Sequence, residues 1–423
     1  MSVPANKLVP TLALVDGKFR ISCSFYEKDV AKAINGHEWN PTARAWEYPI
    51  SLYTYNEIAD SFPRLYVTPE AETAVKDLRE SEVSVAAMKA EGWEKAIMAE
   101  PMPLKTKPFN HQILAFNIGM KLLNTALLME QGCGKSLVAV AISGRRYLRG
   151  DIKQVLVAAP ASVVPVWPGE YGVHASFPVG VWPLSGGTKD KIKQMEKFKG
   201  VGLKVLVNNY ESIWRMEKEL ERWIKREPTM IVCDEAQRIK TPSAEQSKAL
   251  HRLGKFAAYR MILTGTPVCN SPLDFFSQYK FLDPSIFGPY VGPFRARYAV
   301  EISLDTKSGG NYKKIVGYLH LDELKQKAHS IAFRCTKAEC LDLPEQIDQT
   351  LYCELESRAA VAYNQLLRES VAELGHETVT AINVFSKLLR LAQIAGGFLN
   401  IDGDVTRIST AKMKLLDETL DDL

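Results

Sequence analysis

The chain has 423 residues, 46% hydrophobic and 24% charged, which leaves room for two or three domains and excludes a disordered or low-complexity protein. A net charge of +4 permits contact with a polyanion without demonstrating it. No apolar leader is visible and no run approaches a membrane span, so no membrane partner is expected. The 7 cysteines are odd in number and none forms a CxxC pair. Reduced, mostly buried thiols are therefore expected, and no zinc site.

In chain order, KFRISCSF (18–25) alternates like a half-buried strand, EKDVAKAING (27–36) has helical spacing, and ARAWEYPI (43–50) alternates again. Residues 1–67 thus read as a small α+β module, rich in aromatics. Residues 68–104 are charged and helix-prone and read as a helical linker closed by PMPLKTKP.

From residue 105 the texture changes. QVLVAAP (154–160), LKVLVNN (203–209), TMIVCDE (229–235) and RMILTGT (260–266) are short apolar runs separated by helical stretches. Such runs predict a parallel sheet with helices on both faces over 105–290. A hairpin and helical insertion is expected over 291–345, AVEISL pairing with KIVGYLH around SGGN. A helical region follows over 346–423.

MEQGCGKS (129–136) falls between the apolar stretch TALLM and the helical LVAVAISGRRYL. At a strand-to-helix turn, backbone N–H groups and a helix N-terminus can hold phosphate oxygens. Gly132, Cys133 and Gly134 would form the cradle, Lys135 would neutralise phosphate, and Ser136 would ligate Mg²⁺. The longer phosphate-loop pattern has glycine where Met129 stands. Alone, the segment is equally a glycine-containing helix start with a solvated lysine. Asp234 and Glu235 end an apolar strand, where a parallel sheet binds ligands, and can divide metal binding from activation of water. LTGTP (263–267) adds the hydroxyls of Thr264 and Thr266, or is an ordinary turn. In PFNHQ (108–112), Gln112 can read the N6 and N7 edge of adenine and Phe109 can stack nearby; a surface helix residue is the alternative.

The order of these segments resembles the first motor lobe of superfamily-two nucleic-acid translocases, which often lack the first glycine. DEAQRIK (234–240), LTGTPVCNSPLDFFSQYKFLDPSIFG (263–288), FRCTKAECLDLPEQ (333–346) and LLRLAQIAGGFL (388–399) narrow the likeness to Swi/Snf-type DNA translocases. The resemblance spans roughly 105–420 and departs at Gln237, where histidine is commoner. It implies a RecA-like α/β lobe, ATP and Mg²⁺ as cofactors, and double-stranded or forked DNA as partner. Lys135 and Ser136 would bind phosphate and metal, Asp234 the metal, and Glu235 would be the general base. Gln237, Thr264 and Thr266 would couple hydrolysis to movement. Pro160, Ala161, Ser162, Asn208, Tyr210 and Lys240 would lie on the DNA-facing edge. Residues 19–51 are similar to the HARP-type module found beside annealing helicases, with Lys18 and Arg44 as candidate phosphate contacts; their aromatics are equally the core of a small domain.

The family's second lobe carries a glycine-rich turn and a QxxxRxxR segment, neither of which is found here. The expectation is therefore a truncated second lobe, supplied by a missing segment or a second chain, and weak turnover. Two alternatives stand beside the translocase: a helicase of another superfamily-two branch, and a non-catalytic DNA-binding subunit. The compact form suggests a viral or bacterial genome, with a cytoplasmic or nucleoid-associated location.

Overall fold

The computed structural model describes residues 9–198, 201–268, 271–305, 311–342, 344, 348–369, 371–374, 377–380, 384–401 and 404–421. Residues 1–343 and 344–423 form two compact units.

The first unit opens with β1 (Thr11–Val15), β2 (Lys18–Ser22), α1 (Lys28–Ala33), β3 (Glu38–Asn40), β4 (Ala45–Tyr48), α2 (Leu52–Ser61) and β5 (Tyr66–Val67). The strands order as β3-β4-β2-β1-β5. The module thus exceeds the expected strand-helix-strand unit: β1 and β5 complete a five-stranded sheet. Leu12, Phe19, Ile21, Trp46 and Tyr48 fill its core, so several of its aromatics are structural.

Helix α3 (Pro69–Glu91) starts after Thr68, whose hydroxyl accepts the Ala71 N–H at 3.4 Å, with proline at the first turn. Its Ala71 and Val75 pack into the module and its Val85 into the core of the following lobe. The segment expected as a linker is therefore a shared structural helix, because its few apolar residues face two different cores.

The lobe comprises α4 (Asn110–Lys121), β6 (Asn124–Met129), α5 (Lys135–Arg149), β7 (Gln154–Ala159), α6 (Trp167–His174), β8 (Val179–Pro183), α7 (Thr188–Lys197), β9 (Leu203–Asn209), α8 (Tyr210–Ile213), α9 (Glu217–Ile224), β10 (Thr229–Asp234), α10 (Glu245–Leu253), β11 (Tyr259–Leu263), α11 (Phe275–Leu282), α12 (Pro284–Phe287), α13 (Val291–Tyr298), β12 (Ala299–Asp305), β13 (Asn311–Tyr318), α14 (Leu321–Ser330), β14 (Ala332–Cys335) and α15 (Lys337–Cys340). Its seven-stranded sheet has the order β14-β6-β11-β10-β7-β9-β8, parallel throughout.

Every residue of β6, β7 and β10 is buried. Alternation divides them between two cores: Leu127, Val155, Val157, Met230 and Val232 face one layer of helices, and Ala126, Leu128, Leu156, Ile231 and Cys233 the other. This is why the strands read as unbroken apolar runs: both faces are covered. The fold is the expected α/β RecA-like sheet.

Two expectations about extent change. The hairpin β12–β13 forms, its turn residues 306–310 lying outside the described ones. Beyond it, β14 returns to pair with β6, so the lobe does not end at residue 290. The second unit contains α16 (Ser357–Glu369), hairpin β15 (Val371–Leu374) with β16 (Glu377–Thr380), α17 (Val384–Ala395), hairpin β17 (Phe398–Ile401) with β18 (Asp404–Arg407), and α18 (Ala411–Asp421). Its small core joins Ala362, Leu366, Ile394 and Leu399.

Candidate nucleotide site

Strands β6, β11 and β10 are consecutive neighbours, and their carboxyl ends bring three of the sequence segments together. The loop 130–134 leaves β6, LTGTP leaves β11, and Asp234–Glu235 leaves β10.

The loop turns into α5 through Gly134, at φ 84° and ψ 36°. A Cβ there would stand 2.2 Å from Gln112 Nε2. Only glycine meets both demands without strain. Gln112 is buried; its Nε2 donates to the Cys133 carbonyl at 3.2 Å, and its Oε1 accepts the Phe109 N–H at 3.0 Å. The glutamine predicted to read a base thus braces the phosphate loop in this conformation. Phe109 is exposed and stacks on His111 with centroids 5.9 Å apart. Gly132 and Gly134 both have positive φ, while the Cys133 side chain is buried beneath the loop, so only the Cys133 backbone is available to a ligand.

Lys135 Nζ donates to the Met129 carbonyl at 3.0 Å and the Glu130 carbonyl at 3.3 Å. The ammonium thus sits over its own loop, where it would meet phosphate. Ser136, half-buried, occupies the second position of α5.

Asp234 is buried, with Oδ2 accepting the Trp167 indole N–H at 3.1 Å and Oδ1 accepting the Glu235 N–H at 3.0 Å. Burial, then the adjacent Glu235 charge, pushes its carboxyl up to about 6. A divalent cation would offset that burial, which fits the chemistry of a metal-binding carboxylate. Glu235 has φ 49° and ψ 56°, a left-handed conformation that turns the chain sharply after β10.

The carboxylate of Glu235 accepts from Gln237 Nε2 at 2.8 Å, and Gln237 Oε1 accepts the Thr264 hydroxyl at 2.9 Å. Thr264 Oγ1 then accepts the Thr266 N–H at 3.0 Å. One chain of hydrogen bonds therefore joins the ends of β10 and β11. Gly265 brings that segment against the phosphate loop: a Cβ there would lie 3.2 Å from the Gln131 nitrogen.

The expected DNA-facing residues divide. Pro160 is half-buried, and Ala161 and Ser162 are exposed in the turn after β7. Lys240 lies 3.8 Å from the Asp274 carboxylate. Asn208 and Tyr210 must be corrected, because both are buried. Asn208 Oδ1 accepts from Lys191 at 3.0 Å, and the Tyr210 hydroxyl donates to the Asp234 carbonyl at 2.7 Å. They fix the strand ends instead of facing a polymer. Lys18 is likewise engaged, by Glu38 at 3.1 Å and Glu47 at 3.3 Å, whereas Arg44 is exposed at φ 50°.

Sequence reading missed Trp167 and a strap beyond β14. Glu130 N–H donates to the Cys335 carbonyl at 3.0 Å, and Lys337 N–H to Glu130 Oε2 at 2.8 Å. The position of VVPVW (163–167) just after an apolar strand is the signal that could have found Trp167; FRCTKAEC (333–340) carried only family likeness, and nothing in it places the strap against a loop some two hundred residues earlier.

A phosphate loop, a carboxylate pair and a hydrogen-bonded threonine segment on adjacent parallel strands define an ATP-hydrolysing α/β enzyme. The sequence profile of the SNF2-related domain matches residues 109–396, and the chain belongs to that family, whose members are DNA-dependent ATPases. It is 25% identical over 328 residues to the putative protein p41 of Acyrthosiphon pisum secondary endosymbiont phage 1, covering 75% of this chain and 69% of the phage protein. It is 27% identical over 265 residues to the DNA repair and recombination protein RDH54 of Saccharomyces cerevisiae, covering 60% of this chain and only 28% of that protein. A solved Sulfolobus solfataricus SWI2/SNF2 ATPase core in complex with dsDNA aligns with a TM-score of 0.48 and 25% identity, over 77% of this chain and 67% of that one. No described helix is long and apolar enough to cross a membrane.

Proposed function

We propose that the chain carries the ATP-binding first lobe of a Swi/Snf-type motor that moves on double-stranded or forked DNA. The hydrogen-bonded path from Glu235 through Gln237 to Thr264 and Thr266 carries this reading, since it ties the candidate base to a neighbouring strand end.

The loop 132–136 would hold the phosphates, and Ser136 with Asp234 would hold Mg²⁺, which neutralises charge on the transferring phosphoryl group. Glu235 would take the proton of the attacking water. Arginines that stabilise the same charge would come from a second RecA-like lobe, in the same or another chain. Pro160, Ala161, Ser162 and Lys240 would contact DNA along its backbone, so binding would weaken with salt.

The N-terminal module is proposed to act on DNA as the HARP-type modules do, in rewinding or fork remodelling. Its exposed Phe25 and Tyr26, with Lys28 Nζ 4.0 Å from the Phe25 ring centroid, support this reading. Similarity to a phage protein supports action on a viral or bacterial genome, in the cytoplasm or nucleoid.

ATP hydrolysis measured with and without duplex and forked DNA tests the proposal. DNA-stimulated turnover abolished by Glu235→Gln supports it. Turnover indifferent to DNA, or unchanged in Glu235→Gln, contradicts it.

A further inference from the structure

Beneath the phosphate loop lies a cluster that the ATPase reading does not use. His111, Cys335 and Cys340 place one ligand atom each within 4.8 Å of one another. Cys133 Sγ stands 3.6 Å from Cys340 Sγ. His111 comes from α4, Cys133 from the loop itself, Cys335 from the end of β14 and Cys340 from α15. His111, Cys133 and Cys335 are buried and Cys340 is half-buried.

Metal–sulfur bonds of about 2.3 Å in a tetrahedron set two sulfurs roughly 3.8 Å apart. The Cys133–Cys340 separation is close to that edge length. His111 Nε2 lies 2.9 Å from the Cys133 carbonyl oxygen. Donating Nε2–H to that carbonyl leaves the lone pair on Nδ1, and metal-bound imidazoles ordinarily donate their other N–H in this way. We propose that His111, Cys335 and Cys340 hold zinc, with Cys133, whose sulfur stands 3.6 Å from that of Cys340, closing in as the fourth ligand of a tetrahedral site. Three sulfurs and an imidazole suit a soft or borderline cation and not Mg²⁺ or Ca²⁺. A disulfide between Cys133 and Cys340 would engage only two of the four groups.

The expectation of no zinc site rested on sequence spacing alone. Folding overrides it: the pairing of β14 with β6 carries Cys335 and Cys340 to the loop. A bound ion would fix Cys133, between the two loop glycines, to the strap 335–340.

The full chain, purified under reducing conditions without added metal, would be dialysed against a mild chelator and its metal content measured. After stronger chelation, cobalt(II) would be titrated into the wild type as a spectroscopic substitute. The expected result is about one zinc per chain and a tetrahedral cobalt spectrum with thiolate-to-metal charge transfer. Cys335→Ser and Cys340→Ser should each weaken cobalt binding by about 10-fold or more. Cys23→Ser, in the N-terminal module, should leave it unchanged. Absence of retained zinc together with an octahedral, thiolate-free cobalt spectrum in the wild type would overturn the site, without depending on whether a variant folds. A Cys133–Cys340 disulfide in the chain as purified, found by non-reducing peptide mass spectrometry, would overturn it as well.

Discussion

Gln237 bonds to two strand ends at once: its Nε2 donates to Glu235 at 2.8 Å and its Oε1 accepts from the Thr264 hydroxyl at 2.9 Å. An amide can do both because it carries a donor and an acceptor on one planar group. Gln237→Ala should therefore uncouple Glu235 from β11, lowering DNA-stimulated hydrolysis by about 10-fold or more while nucleotide affinity changes little. Gln237→His, which keeps one donor and one acceptor, should restore most of the rate. Steady-state kinetics with and without duplex DNA decides the matter; equal stimulation in wild type and Gln237→Ala would remove the coupling role.

Gly134 is constrained twice, by its left-handed backbone and by Gln112 Nε2, 2.2 Å from where a Cβ would stand. Gly134→Ala should lower stability by about 1–3 kcal/mol through the backbone alone, and weaken nucleotide binding. Adding Gln112→Ala removes the contact but not the backbone strain, so it should recover only part of the loss. Urea unfolding of the single and double variants measures both contributions, and full recovery in the double variant would show that φ was not limiting.

Asp234 gives a pH dependence with a definite sign. Its folded pKa of about 6 lies above the ordinary 3.8, so between these values the folded chain holds a proton that the unfolded chain has lost. This group therefore favours the folded state below that window, and the contribution is lost as pH rises through about 6, on the order of 3 kcal/mol in all. Metal-nucleotide binding has the opposite trend, because Mg²⁺ needs the carboxylate: affinity should rise with pH through the same region. Trp167→Phe deletes the indole N–H that favours the ionised form and should move the midpoint upward. Calorimetric titrations of Mg-ATP across that range test the sign, and affinity independent of pH would separate Asp234 from the metal.

The central strands could be read because burial on both faces leaves unbroken apolar runs, as in TMIVCD of β10. The glycines, Lys135 and the acid pair could be read because chemistry restricts residue type at strand ends. Edge strand β14 could not, since AFRC is four residues long and its partner β6 lies some two hundred residues earlier. Asn208 and Tyr210 were misplaced for a related reason: position at a strand end does not reveal whether the next side chain turns outward or, like Tyr210, folds under Asp234. Lys18 looked like a phosphate contact until β3 and β4 supplied Glu38 and Glu47.

In the N-terminal module, Tyr26 is 91% exposed and Phe25 73% exposed, beyond what the core of a small domain requires. Phe25→Ala and Tyr26→Ala combined should weaken single-strand binding by about 1–3 kcal/mol for each stacked base lost, slow annealing of complementary strands by about 10-fold or more, and spare the nucleotide affinity. A strand-annealing assay with unchanged rates would confine the module to a structural role.

Nucleotide binding by the wild type and by Lys135→Ala, in the presence and absence of Mg²⁺, tests the central claim most directly. Wild type should bind ATP with an affinity that Mg²⁺ raises, and Lys135→Ala should bind about 100-fold more weakly, since an ammonium paired with phosphate is lost. Equal affinities for the two proteins, or binding indifferent to Mg²⁺, would contradict the assignment of residues 132–136 and Asp234 as the nucleotide site.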